Sequence, residues 1–167
     1  MSIGLMEKEI LELQEENSRL KRLSEADGLT GLYNRVTAER IINERLNRNE
    51  GGILLVVDVD GFKRINDRYG HLFGDEVLKG LASLMKEIFP PGNVIGRFGG
   101  DEFIIFTAKE CTLQAALKKG RELIRRMHRM GDKMGVEDRL SATIGAAGCQ
   151  EKDTYASVFS RADYALF

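Results

Sequence analysis

Two short acidic clusters in the 167-residue chain have the composition and setting for metal-assisted phosphate chemistry. Asp58-Val59-Asp60-Gly61 closes the apolar run Ile53-Leu54-Leu55-Val56-Val57, and Asp101-Glu102-Phe103 follows Gly99-Gly100. A continuous apolar run predicts a central strand covered on both faces, and α/β sheets place ligand-binding groups at the carboxyl ends of such strands. Gly99-Gly100 separates predicted strands at 94–98 and 101–106, which points to a tight hairpin with positive backbone angles. If that hairpin pairs beside the central strand, Asp58 and Asp101 meet at one sheet edge. Clustered carboxylates repel, and a divalent cation relieves the repulsion. Magnesium takes one or two protein carboxylates and completes its shell with water and phosphate oxygens. The glycine pair leaves room for a triphosphate to approach the backbone. Plainer roles stay open for the same residues. Asp60 reads as the N-cap of a helix opening at Gly61, Asp58 can simply terminate a strand, and Glu102 can be a solvated charge on the hairpin.

The segment after the first cluster carries polar residues suited to a nucleotide. Gly61-Phe62-Lys63 opens a helix, so its free N–H groups and the Lys63 ammonium can hold phosphate, although Lys63 is equally an ordinary exposed lysine. Asn66 and Asp75 lie on the same helical segment and its break. A carboxylate can accept both N1–H and N2–H of guanine, a donor pair that adenine lacks, so Asp75 in a nucleotide pocket would select guanine. His71 follows Gly70 in a predicted loop, where a structural role is as available as a functional one.

These groups need a scaffold, and the pattern supplies one. Val36, Ile41, Ile42 and Leu46 mark the inner face of a helix that follows an Asp27–Arg35 loop and ends at Gly51-Gly52. Val77, Leu78, Leu81, Leu84, Met85, Ile88 and Phe89 run along one long helical stretch that Pro90-Pro91-Gly92 stops. A helix over 112–130, a strand over 140–146 and a last helix from Tyr155 follow. Strand, helices, hairpin, helix, strand, helix gives an α/β (α+β) sandwich with a central mixed β-sheet flanked by helices. The ferredoxin-like split β-α-β-β-α-β plan fits it best. Ahead of it, Ile3, Met6, Ile10, Leu13, Asn17 and Leu20 alternate at spacings of four and three. That is an a/d seam, and an Asn at position a favours a two-stranded pairing; a solvated linker helix is the alternative.

Bulk properties narrow the function classes. With 43% hydrophobic residues and a formal net charge of -1, the chain is a folded domain with no general electrostatic pull toward nucleic acid or an anionic membrane. No apolar run reaches the length of a membrane span, so a cytoplasmic location without direct membrane contact is expected. Cys111 and Cys149 are widely spaced and read as reduced packing residues.

Taken together, four segments resemble the GGDEF-type diguanylate cyclases. They are Asp27-x-Leu29-Thr30-Gly31-Leu32-x-Asn34-Arg35, Asp58-Val59-Asp60-x-Phe62-Lys63-x-Ile65-Asn66-Asp67, Gly70-His71-x-x-Gly74-Asp75 and Arg97-Phe98-Gly99-Gly100-Asp101-Glu102-Phe103. The resemblance implies a catalytic domain over 27–167, palm-like as in nucleotidyl cyclases, behind a coiled-coil helix over 1–26. It implies magnesium or manganese held by Asp58, the Val59 carbonyl and Asp101, with Glu102 beside them. Asp101 would be the base for an attacking 3′-hydroxyl and Lys63 would stabilise the transition state. Asn66, His71 and Asp75 would hold the guanosine, with Phe62, Gly99 and Gly100 completing the GTP site. The implied reaction joins two GTP molecules into cyclic di-GMP in a homodimer paired through the coiled coil and fed by an upstream sensor domain. The alternative is an impaired module that binds GTP or cyclic di-GMP for regulation.

Two departures from the family pattern bear on these expectations. Many members carry an inhibitory product site, Arg-x-x-Asp, at positions that are Pro90 and Asn93 here, so that site is expected to be absent. The family's last helix continues through a Lys and an Arg that hold the terminal phosphates, whereas this sequence stops at Phe167, which reads as a C-terminal truncation.

Overall fold

A computed structural model describes residues 8, 10–14, 16 and 24–166. Among them the elements are β1 (Tyr33–Asn34), α1 (Arg35–Asn47), β2 (Ile53–Val59), α2 (Phe62–Tyr69), α3 (His71–Ile88), β3 (Val94–Gly99), β4 (Glu102–Phe106), α4 (Leu113–Met134), β5 (Ala142–Gly148) and α5 (Tyr155–Tyr164). The strands form one sheet in the order β1-β3-β4-β2-β5. β2 is antiparallel to both β4 and β5, and β3 is antiparallel to β4. Only β1 is parallel to its neighbour, at Tyr33↔Gly96 and Asn34↔Arg97, and this makes the sheet mixed. Without β1 the connectivity is the expected split β-α-β-β-α-β plan.

Both faces of β2 are covered, as its unbroken apolar run requires. Leu55, Val57 and Val59 pack with Phe62, Val77, Leu81, Phe103, Leu123 and Met127, the core beneath α2, α3 and α4. Leu54 and Val56 point the other way, toward Ala38, Ile42, Tyr155 and Val158 of α1 and α5. Each such buried Leu, Val or Phe side chain stabilises the fold by about 1.5–3 kcal/mol through the apolar area it removes from water. Polar caps fix the helix starts. Asn34 Oδ1 accepts the Thr37 N–H at 3.0 Å, and Thr154 and Ser157 form a capping box on α5.

Several expectations are corrected. The break expected after Asn66 falls at Gly70, whose φ 88° and ψ 159° turn the chain between α2 and α3, and the long stretch from Val77 lies on α3 as far as Ile88. His71 is consequently the first residue of α3 and not part of a loop. Asp60 does not cap α2. Gly61 occupies that position in a left-handed conformation, and the Asp60 carboxylate instead accepts the Thr143 hydroxyl at 2.7 Å. The hairpin turn is Gly100-Asp101, with Gly99 opposite Glu102 across a register shift, and neither Gly99 nor Gly100 has a positive φ. Val36 is 76% exposed, and the inner face of α1 is set by Thr37, Ala38 and Ile42. The loop before α1 contains β1, α4 runs on to Met134, and β5 starts at Ala142. The predicted coiled-coil seam falls largely outside the described residues. Of its members, Ile10 and Leu13 are helical and 51% and 65% exposed. Cys111 and Cys149 are free thiols, each half-buried.

Candidate active site

The carboxyl end of β2 carries Asp58, and the pairing register sets it directly opposite Glu102 on β4 and Thr143 on β5. The Val59 N–H donates to the Asp101 carbonyl at 3.2 Å. The hairpin turn is thereby docked onto the end of the central strand, and Asp58, Val59, Asp101 and Glu102 converge at one sheet edge. Burial raises the Asp58 pKa, and the neighbouring carboxylates of Asp101, Glu102 and Asp60 raise it further. Like charges opposite one another on paired strands destabilise a sheet, so the fold holds these groups together against their mutual repulsion. Among the described residues no three His, Cys, Asp or Glu side chains gather closely enough to enclose a metal ion. A hard cation that needs only one or two protein carboxylates fits this donor set and would offset its repulsion.

The glycines of the turn have no structural reason to be glycine. A Cβ on Gly99 would come no nearer than 4.0 Å to Glu102, and one on Gly100 would meet nothing within 4 Å. With ordinary φ at both, the missing side chains serve to leave the turn backbone open.

Lys63 and Asn66 lie on α2, and His71 and Asp75 on α3. Lys63 and His71 are exposed, and Asp75 is half-buried. Phe62 is 9% exposed, belongs to the core under α3, and lies with Asn66 against Gly74. The Asn66 amide oxygen is buried without a hydrogen-bond partner. Residues 62, 63, 66, 71 and 75 thus share the α2–α3 corner that follows directly from the acidic end of β2.

Other residues that support the site have roles that spacing alone does not disclose. Arg97 donates from Nε and Nη2 to the Gly100 carbonyl at 3.1 and 2.7 Å, and from Nη1 to Asp27 at 3.2 Å. Asp27 in turn accepts the Thr30 N–H at 2.9 Å and the Thr30 hydroxyl at 2.6 Å. Burial acts to raise the Asp27 pKa, but hydrogen bonds from Thr30 and Arg97 outweigh it and leave the carboxyl below its ordinary value. The Asn34 amide donates to the Ser24 carbonyl at 2.7 Å. The Asp27–Arg35 segment is therefore a brace for the hairpin turn. Besides the family resemblance, its forewarning is the Asp-x-x-Thr spacing of a side-chain-capped turn. Asp27, Arg97, Gly99 and Gly100 line a cleft of about 370 Å³ behind the turn. A second cleft of about 580 Å³ lies by Leu32, Lys86, Phe89, Pro90 and Asn93, away from the acidic edge. No helix among the described residues is long and apolar enough to cross a membrane.

Residues 24–167 match the family model described as diguanylate cyclase, GGDEF domain. The chain is 36% identical over 165 residues to the diguanylate cyclase DgcP of Pseudomonas aeruginosa, covering 91% of this chain and 23% of DgcP. It is 32% identical over 163 residues to the cyclic di-GMP phosphodiesterase PdeR of Escherichia coli, covering 95% of this chain and 24% of PdeR. The chain thus spans about a quarter of each of these relatives. Among solved structures, the coiled coil and GGDEF domain of DgcB from Caulobacter crescentus, in complex with c-di-GMP, is similar with a TM-score of 0.84 at 27% identity. That likeness covers 98% of this chain and 90% of that one. With its Gly-Gly-Asp-Glu-Phe hairpin docked on the acidic end of the central strand, this chain belongs to the GGDEF diguanylate cyclase family.

Proposed function

We propose that this chain condenses two GTP molecules into cyclic di-GMP, releasing two pyrophosphates. The observation that carries the reading is the convergence of Asp58 with Asp101 and Glu102 beside an open glycine turn. The 3′-hydroxyl of each GTP attacks the α-phosphorus of the other in line. Asp101 takes the hydroxyl proton as the P–O bond forms, and the bond to the pyrophosphate oxygen breaks. Lys63 meets the phosphate charge, and Asn66, His71 and Asp75 hold the guanosine beside Phe62. Asp58, the Val59 carbonyl, Asp101 and Glu102 would hold magnesium or manganese, which when bound supplies charge compensation at the phosphates. Each domain offers one nucleotide site, so the reaction needs two domains face to face. Positioning of that kind is worth up to roughly 7–11 kcal/mol of barrier. Residues 27–167 form the catalytic unit in this reading, and residues 1–26 pair two copies and relay an upstream sensor's signal in the cytoplasm, where GTP is at hand.

The test is pyrophosphate release from GTP by the full chain, with magnesium and with a chelator. Release that requires magnesium and disappears in Asp101→Ala supports the cyclase reading. Release that persists in Asp101→Ala or in the chelator excludes it.

A further inference from the structure

Gly74 is the fourth residue of α3, buried, and its N–H donates to the Gly70 carbonyl at 3.2 Å. Its φ is not in the left-handed range. Nothing in the local backbone asks for glycine, and alanine would favour the helix at this position. The reason lies in a neighbour. A Cβ at position 74 would stand 1.9 Å from Asn66 Oδ1, 3.0 Å from Asn66 Cγ and 3.1 Å from Phe62 Cζ. The Gly70 turn creates this proximity: its N–H donates to the Asn66 carbonyl at 2.9 Å and folds α3 back onto α2. The atom occupying the vacated volume, Asn66 Oδ1, is a buried acceptor with no partner. Leaving such an acceptor unpaired is costly in a folded chain, so this oxygen calls for a donor.

We infer that Gly74 is a positioning residue for nucleotide recognition. Its missing side chain seats the Asn66 amide oxygen where it can accept from the base, one residue from Asp75. The inference rests on the guanine reading of Asn66 and Asp75 proposed above. Helix propensity at position 74 is given up for this placement.

Equilibrium binding of GTP and of ATP to the full chain separates the possibilities. Wild type is expected to prefer GTP. Gly74→Ala and Asn66→Ala are each expected to lower the GTP-over-ATP preference about tenfold, the worth of one ligand hydrogen bond. Gly74→Ala/Asn66→Ala is expected to be no worse than Asn66→Ala alone. A general loss of structure would weaken both nucleotides alike and leave the preference unchanged. Unchanged preference in Gly74→Ala, or losses that multiply in the double variant, would overturn the inference. No preference for GTP in wild type would overturn the guanine reading itself and this inference with it. Should Gly74→Ala fail to fold, the double variant removes the Asn66 atoms at 1.9 and 3.0 Å and keeps only the milder approach to Phe62 Cζ at 3.1 Å. Recovery of the fold there supports the contact with Asn66, and failure to recover overturns it.

Discussion

At Asp58, burial and then the carboxylates of Asp101, Glu102 and Asp60 raise the carboxyl pKa. A folded-state pKa above the unfolded value means that ionising Asp58 destabilises the fold. The penalty is absent below the unfolded value, grows as pH rises from the unfolded toward the raised folded value, and is complete above the folded one. Asp58→Asn should therefore melt about 1–3 °C above wild type at pH 7 without metal, a cross-strand effect of up to about 1 kcal/mol. The gap should close as the pH is lowered through the titration of Asp58. The same substitution should abolish metal-dependent turnover. Thermal melts against pH with a parallel activity assay test both halves, and a variant less stable than wild type at pH 7 would contradict the electrostatic reading. Asp58 and Asp101 are legible from sequence because an apolar run and a glycine pair fix where each carboxylate must emerge. Gly74 and Arg97 fall in the segments that carry the resemblance, but their contacts are not legible, since their partners Asn66, Asp27 and Gly100 are set by the turn at Gly70 and the fold of the loop before α1.

Among the elements, the hairpin turn depends on the brace from Arg97 to Asp27 and to the Gly100 carbonyl. Arg97→Ala should lower the melting temperature by about 2–4 °C, as expected for loss of charge-assisted hydrogen bonds worth about 1 kcal/mol or more. It should cost turnover at least about tenfold, because the freed turn carries Asp101. A variant with wild-type turnover would show that the turn holds its geometry without the brace. The Asp27 carboxyl has a depressed folded pKa, so its stabilisation is present above the unfolded value of about 3.8 and is lost as the pH falls through the folded one. The acid melting of wild type and Arg97→Ala should accordingly draw closer at low pH, with the bonds from Arg97 to the Gly100 carbonyl keeping a residual difference. Gly70 is the second element-scale control. At φ 88° and ψ 159° an alanine is strained, and Gly70→Ala should cost about 1–3 kcal/mol in chemical denaturation. The break itself was legible at Gly70, but not that His71 begins a new helix there, since both helices bury faces in the same core. β1, at two residues, is too short to carry a period, and Asp60 lost its predicted capping role to a left-handed Gly61 and a hydroxyl on β5.

Over the whole molecule, a net charge of -1 means that the proposed recognition of GTP would fall to local groups at one sheet edge. The sandwich plan itself was readable, because β2 is apolar throughout and the helices on either side have one apolar face each. In the proposed reaction each copy supplies one acidic edge, so specific activity should rise with protein concentration across the range in which two copies associate. A specific activity independent of concentration where sedimentation shows monomer would contradict the paired site. The most direct measurement is the stoichiometry of the products formed from GTP and magnesium, resolved by chromatography and mass spectrometry. Cyclic di-GMP accompanied by two pyrophosphates for each molecule formed, and neither product from Asp101→Ala, is the expected result. GTP returned intact by a folded, paired protein, or consumed to GDP and phosphate, would contradict the assignment of this acidic edge as a cyclase centre.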